Sequence, residues 1–195
     1  MKILVIRRDN IGDVICTTPL ISALKHHFPS AHIDALVTDY TCAVLYGNPD
    51  LDTLYIYRKA KHRTGGETKL GVWWQTLRLI RQLRQARFDL IVVATPGVQP
   101  GAVKFARWIG AAKILAYSPE NDDDHGHETE RVMRLLHPLG IDEAPGALTL
   151  RADPQLGAAV AVPPVDAINH ATPSPLIGLH ISARKPLQRW PIERF

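Results

Sequence analysis

The chain has 195 residues, 46% of them hydrophobic and 22% charged, with a formal net charge of +4 at pH 7. This is ordinary for a soluble globular protein, long enough for one full domain or for one domain plus part of another. No apolar run approaches the eighteen uncharged residues of a transmembrane helix, and the N-terminus goes straight into a strand with no signal-peptide pattern. The two cysteines, Cys16 and Cys42, show no CxxC spacing, which argues for a reducing compartment and against a structural zinc. The positive charge invites an anionic partner without saying which kind.

In chain order, Ile3 to Ile6 is a four-residue aliphatic run, as a parallel strand covered on both faces requires. Arg7-Arg8-Asp9-Asn10-Ile11-Gly12-Asp13 follows, a polar loop with one glycine and a carboxylate at the mouth of a helix. Gly12 lets another group approach the backbone closely. Asp13 has two readings at this point, a helix cap favoured by the helix dipole or a catalytic or ligand contact. Leu20, Ala23, Leu24 and Phe28 then fall at helical spacing. Residues 31–37 read as a second strand, 41–46 as a short helix, and 51–57 as a third strand after the turn Gly47-Asn48-Pro49-Asp50. The alternation β-α-β-α-β predicts an α/β fold, a Rossmann-like parallel sheet. In such a sheet the ligand crevice lies at the carboxyl ends of the strands, where Arg7, Arg8, Asp9 and Asp13 belong.

Between residues 58 and 87 nine basic residues face the single acid Glu67, a net +8, so the remainder of the chain nets −4. Arg58, Lys59, Lys61, His62 and Arg63 are crowded into a glycine-flanked loop beyond a strand, suited either to solvation or to gripping phosphate and carboxylate groups. The helix from Val72 onward is expected to bury Trp73, Leu77, Ile80, Leu83 and Ala86 and to leave Arg78, Arg81 and Arg84 in solvent. Residues 88–94 form the clearest strand, and its apolar run predicts a central place. A helix over 103–109 closed by Gly110, a fifth strand over 113–117 and a helix over 128–139 closed by Gly140 complete the pattern. The acidic, histidine-containing loop from Glu120 to Glu128 matches no defined metal site, so no metal is assigned.

The composition predicts a domain over 1–150, a Pro- and Ala-rich linker over 151–175, and the first strand and loop of a second domain over 176–195. The last piece could not bury a core by itself. The expectation is therefore that a second domain is missing and that the chain is a fragment or a truncated form.

Four places together resemble glycosyltransferase family 9, the heptosyltransferases of the lipopolysaccharide inner core. They are Arg7-x-Asp9-x-Ile11-Gly12-Asp13, the strand Phe88-Asp89-Leu90-Ile91, His127-x-x-x-Arg131 running to Leu139-Gly140-Ile141, and Gly178-Leu179-His180 with Arg189-Trp190-Pro191. The resemblance implies the N-terminal, acceptor-binding domain of a GT-B enzyme. It implies inverting, metal-independent heptose transfer from ADP-heptose, with Asp13 as general base and no cofactor. Arg7, Arg8, Asp9, Gly12, Arg58, Lys59, Lys61 and Arg63 would meet the acceptor, an anionic glycolipid such as Kdo-lipid A or a phosphorylated core. Ser182, Ala183, Lys185 and Arg189 would lie at the donor diphosphate, although Gln188 stands where many members carry lysine. Such a protein would be cytoplasmic, peripheral on the inner membrane, and would bind no nucleic acid. The chain alone would be inactive.

A different class also fits the residues: a non-catalytic Rossmann-like module docking anionic lipid headgroups or a protein. A dinucleotide enzyme fits poorly, because the first loop lacks GxGxxG and Asp9 and Asp13 would repel a pyrophosphate.

Overall fold

The computed structural model describes residues 1–58, 69–95, 97, 99–118 and 126–151. The chain divides into two units, Met1–Asp153 and Pro154–Phe195, and every described residue lies in the first. The expected linker and second-domain strand therefore fall outside the described residues.

Five parallel strands make one sheet, β1 (Lys2–Ile6), β2 (His32–Thr38), β3 (Thr53–Tyr57), β4 (Leu90–Val93) and β5 (Lys113–Ala116). Their order is β3-β2-β1-β4-β5. β1 is central and pairs Ile3 with both Ile33 and Leu90, while β4 is internal between β1 and β5. The aliphatic runs in β1 and β4 are buried because helices cover both faces.

On one face Ile3, Val5, Ile33, Ala35, Val37, Leu90 and Val92 pack under α1 (Ile11–Cys16), α2 (Thr18–His27) and α5 (Glu128–Arg134). On the other, Leu4, Ile6, Leu36, Ile91 and Val93 meet Leu83 of α3 (Lys69–Ala86) and Phe105, Ala106 and Ile109 of α4 (Pro100–Ile109). Each such aliphatic side chain, fully withdrawn from water, contributes about 1.5–3 kcal/mol. Successive strand residues alternate between the faces, and that period carries through Arg7 and Arg8 just beyond β1.

Among the described residues the expected strands and helices are present; the helix expected after Asp13 is broken at Thr17 into α1 and α2, and there are three further differences. The short helix after β2 is a 3-10 turn, Cys42–Leu45. The last helix is split into α5 and a 3-10 turn, His137–Leu139, before Gly140 takes the left-handed conformation. The third difference is a correction. Trp73 and Leu77, expected to be buried, are 56% and 38% exposed. The reason is the face they occupy: at about 100° per residue Leu77 lies about 120° and Trp73 about 80° around the helix axis from the buried Leu83, whereas Leu79, Ile80 and Ala86 lie nearer to it and pack against that core. Arg78, Arg81 and Arg84 are exposed as expected.

Candidate functional site

The strand order reverses direction in sequence between β1 and β4, so the two crossovers leave the middle of the sheet on opposite sides. Ligands in open α/β sheets bind at the carboxyl ends of the strands at such a point. Arg7, Arg8 and Asp9 leave β1 there, and Thr95 follows β4.

Arg7 is 1% exposed. Its backbone N–H still bonds to the Leu36 carbonyl as a continuation of the sheet, which turns the side chain inward under α1 and α5. The guanidinium there touches three carboxylates and a carbonyl. Nη2 donates to Glu128 Oε1 at 2.7 Å and lies 3.5 Å from Asp13 Oδ1. Nε lies 3.2 Å from Asp9 Oδ2, and Nη1 donates to the Ala94 carbonyl at the end of β4. A planar fork suits this work, since one cation reaches several acceptors in fixed directions. Arg131 adds a second cation, with Nη1 3.4 Å from Glu128 Oε2 and its guanidinium 6.0 Å from the Tyr117 ring centroid. Burial, and secondarily Glu128, push the Tyr117 phenol up to about 12. Its hydroxyl finds no hydrogen-bond partner among the described residues.

Asp13 is the third residue of α1. Its Oδ2 accepts from the backbone N–H and the side-chain amide of Asn10, both at 3.0 Å. The capping role anticipated for this carboxylate is therefore present. An ionised carboxylate has about four acceptor sites. Asn10 occupies two on Oδ2 and Arg7 approaches Oδ1, so Oδ1 keeps capacity for one more donor, and 32% of the side chain is exposed. One turn on, Thr17 Oγ1 donates to the Asp13 carbonyl at 2.8 Å, which bends the chain from α1 into α2. Gly12 is exposed, and a Cβ there would meet nothing within 4 Å.

Arg8 takes the other face of the sheet. Its guanidinium lies 5.0 Å from the Tyr57 ring centroid and 4.7 Å from that of Phe105, and the two rings meet edge to face at 5.8 Å. Burial pulls the Arg8 guanidinium below its usual value, with Tyr57 and Asp9 acting in the opposite sense. Next to Tyr57, Arg58 is exposed and lines a hollow of about 420 Å³ with Ile56, Gln75, Thr76 and Leu79.

The structure thus brings Arg7, Asp9 and Asp13 together on one face and Arg8 and Arg58 beside Tyr57 on the other. Lys59, Lys61, Arg63, Ser182, Ala183, Lys185 and Arg189 lie outside the described residues. Glu128 and the Ala94 carbonyl are the partners that sequence reasoning missed. The His127-x-x-x-Arg131 pattern was the available signal for Glu128, since it surrounds it. The His127 backbone N–H donates to Glu130 at 3.1 Å and the His127 ring accepts from the Thr129 N–H at 3.3 Å. This capping fixes the start of α5 and hence the position of Glu128. Among the described residues no group of three or more His, Cys, Asp or Glu is placed to hold a metal ion.

No protein-family model matches the chain. It is similar to lipopolysaccharide heptosyltransferase 3 of Escherichia coli K12, with 30% identity over 144 residues, 68% of this chain and 40% of that protein. A second Escherichia coli lipopolysaccharide heptosyltransferase 3 is 37% identical over 84 residues, 43% of this chain and 23% of that protein. The chain therefore spans well under half the length of the curated relatives it matches. Among solved structures, a glycosyl transferase family 9 protein from Veillonella parvula superimposes with a TM-score of 0.76 at 20% identity, over 99% of this chain and 56% of that one. The Escherichia coli ADP-heptose lps heptosyltransferase II gives 0.64 at 17% identity, over 98% and 58%. At these identities the structural likeness carries the fold.

Proposed function

We infer that this chain, which belongs with the heptosyltransferase-like proteins of glycosyltransferase family 9, supplies the acceptor-binding half of a glycosyltransferase. The observation that carries the reading is Asp13, held by Asn10 and Arg7 at the carboxyl end of β1 with acceptor capacity left on Oδ1.

The reaction is transfer of heptose from ADP-heptose to a lipopolysaccharide inner-core acceptor with inversion. The acceptor hydroxyl gives its proton to Asp13 as its oxygen bonds to the anomeric carbon, and the bond from that carbon to the diphosphate breaks with the electron pair leaving on ADP. A general base must hold its geometry within hydrogen-bond reach of that hydroxyl. Arg7 serves here as a positioning residue: its guanidinium is inside the fold, and it fixes Asp9, Asp13 and Glu128 relative to β4. Gly12 has open space around it among the described residues, which leaves room for the acceptor to approach that loop. Arg8 and Arg58, with Lys59, Lys61 and Arg63, receive the acceptor's anionic groups. Ser182, Ala183, Lys185 and Arg189 serve the donor diphosphate, whose charge these groups neutralise without a metal or cofactor. The acceptor is a membrane glycolipid, so the protein works peripherally on the cytoplasmic face of the inner membrane. No described helix is long and apolar enough to cross a membrane.

The chain as it stands is expected to bind a Kdo-lipid A acceptor and to release no ADP from ADP-heptose; release by the chain alone would overturn this division of labour. In a full-length enzyme carrying this half, Asp13→Asn is expected to lower turnover by about 10²–10⁴-fold with little change in acceptor affinity. Unchanged turnover removes Asp13 as the base, and loss of acceptor binding by the wild-type chain removes the acceptor-domain reading.

A further inference from the structure

The outward face of the N-terminal half of α3 presents an unusual surface. Trp73 is 56% exposed and Trp74 65%, the least covered indoles among the described residues, and their rings meet edge to face at 5.5 Å. Trp74, Gln75, Leu77, Arg78 and Arg81 line an open groove of about 580 Å³. Spacings of three and four residues put Trp74, Leu77, Arg78 and Arg81 on one stripe of the helix. Between Lys69 and Arg87 the sequence holds no acid. On the stripe itself Trp74 and Leu77 are apolar and Arg78 and Arg81 cationic.

That combination matches one partner well. Indoles settle at the boundary between headgroups and hydrocarbon, a leucine reaches the acyl layer, and arginines pair with lipid phosphates. Location supports the same partner. α3 follows β3 and begins beyond the carboxyl ends of the strands, so its N-terminal turns stand at the same edge of the sheet as Asp13. We propose that the Trp73, Trp74 and Leu77 face of α3, with Arg78 and Arg81, docks the protein on an anionic bilayer surface. The docking brings the carboxyl edge of the sheet to the membrane plane, where a lipid-linked acceptor is held. This deepens the membrane contact proposed above and rests on it.

Trp108 supplies an internal control. It is 50% exposed but sits at the far end of the helix pair, where its carbonyl accepts from Arg84 at 2.8 Å.

The test is sedimentation of the chain with vesicles of phosphatidylcholine alone, or with about 30% phosphatidylglycerol, at low and high salt. Binding to the anionic vesicles only, weakened about tenfold or more by salt, is expected, together with a blue shift of tryptophan emission. Trp73→Ala with Trp74→Ala is expected to lower partitioning about tenfold and to remove the shift, and Arg78→Glu with Arg81→Glu to abolish binding. Trp108→Ala leaves binding unchanged, and far-UV circular dichroism confirms that all variants fold. Failure of the wild-type chain to bind, equal binding to neutral vesicles, or variants that bind like wild type would each overturn the proposal. A concentration-dependent dimer that the Trp variant abolishes would also overturn it, by making the patch a contact between copies. No sugar or nucleotide enters these readouts, so they can fail while heptose transfer stands, and the reverse.

Discussion

Replacing Arg7 by methionine tests the centre of the site, because methionine fills the slot without a charge. Two losses can be worked out from the contacts. Glu128 gives up a charge-assisted hydrogen bond of 2.7 Å, about 1.5–3 kcal/mol. The buried Ala94 carbonyl loses its side-chain donor, about 1–3 kcal/mol. Asp9, Asp13 and Glu128 are left facing one another, but their side chains are 21–32% exposed, so water relieves part of the repulsion. The expected cost is about 3–5 kcal/mol, the range for removing one member of a buried ion pair. Urea unfolding followed by far-UV circular dichroism at pH 7 measures it. The double variant Arg7→Met with Glu128→Gln should cost less than the sum of the single changes, by about 1–3 kcal/mol. A loss below about 1 kcal/mol for Arg7→Met, or strict additivity with Glu128→Gln, would refute the view that this guanidinium holds the site together.

Tyr117→Phe removes a buried hydroxyl that has no partner among the described residues, so stability is expected to hold or rise by up to about 1 kcal/mol. The native phenol keeps its proton to about 12, above the unfolded value near 10. Its stabilisation is therefore complete below the unfolded value and lost as pH rises through the native one. Alkaline unfolding of Tyr117→Phe should lack that loss, and a drop in stability at neutral pH would reveal a partner for the hydroxyl. In β2, Asp34 is buried beside His32, with Oδ1 3.1 Å from Nε2. Burial raises its pKa, while His32 and a hydrogen bond from Thr53 oppose the shift. This group's contribution is fully present below the ordinary carboxylate range and lost as pH rises through the raised native value. Asp34→Asn should accordingly be the more stable protein at pH 7, with the gap closing on acidification. A less stable variant at pH 7 would mean that the contacts with His32 and Thr53 outweigh burial.

Much of the fold was legible for simple reasons. Four aliphatic residues in a row at Ile3 to Ile6 and again within Leu90 to Val93 leave few options but a strand covered on both sides. Gly110 and Gly140 closed helices where a left-handed or otherwise positive φ was needed. Two things were hidden. Apolar residues run around most of α3, so hydrophobic spacing does not say which of them face the sheet, and Trp73 and Leu77 read as core alongside Ile80 and Leu83. At the site, a basic residue at a strand end reads as a ligand contact. The strand alternation turns Arg7 inward, but that its charge is matched there depends on Glu128, 121 positions away, and no local pattern carries a pairing of that range. Asp13 was legible as a carboxylate at a helix start, and the capping role anticipated for it is present.

The Arg7–Glu128 contact also sets an order of events. Closing a loop of that length costs entropy before any contact repays it, so the pairing forms only after the intervening strands have assembled. During synthesis β1 emerges before the other strands, and Asn10 can cap Asp13 locally, but the Arg7 guanidinium lacks its Glu128 partner until α5 has left the ribosome and docked. A nascent chain halted before Glu128 would carry the sheet and the proposed base but no keystone between them. The ion-pair cluster around Arg7 is thus completed only when α5 docks.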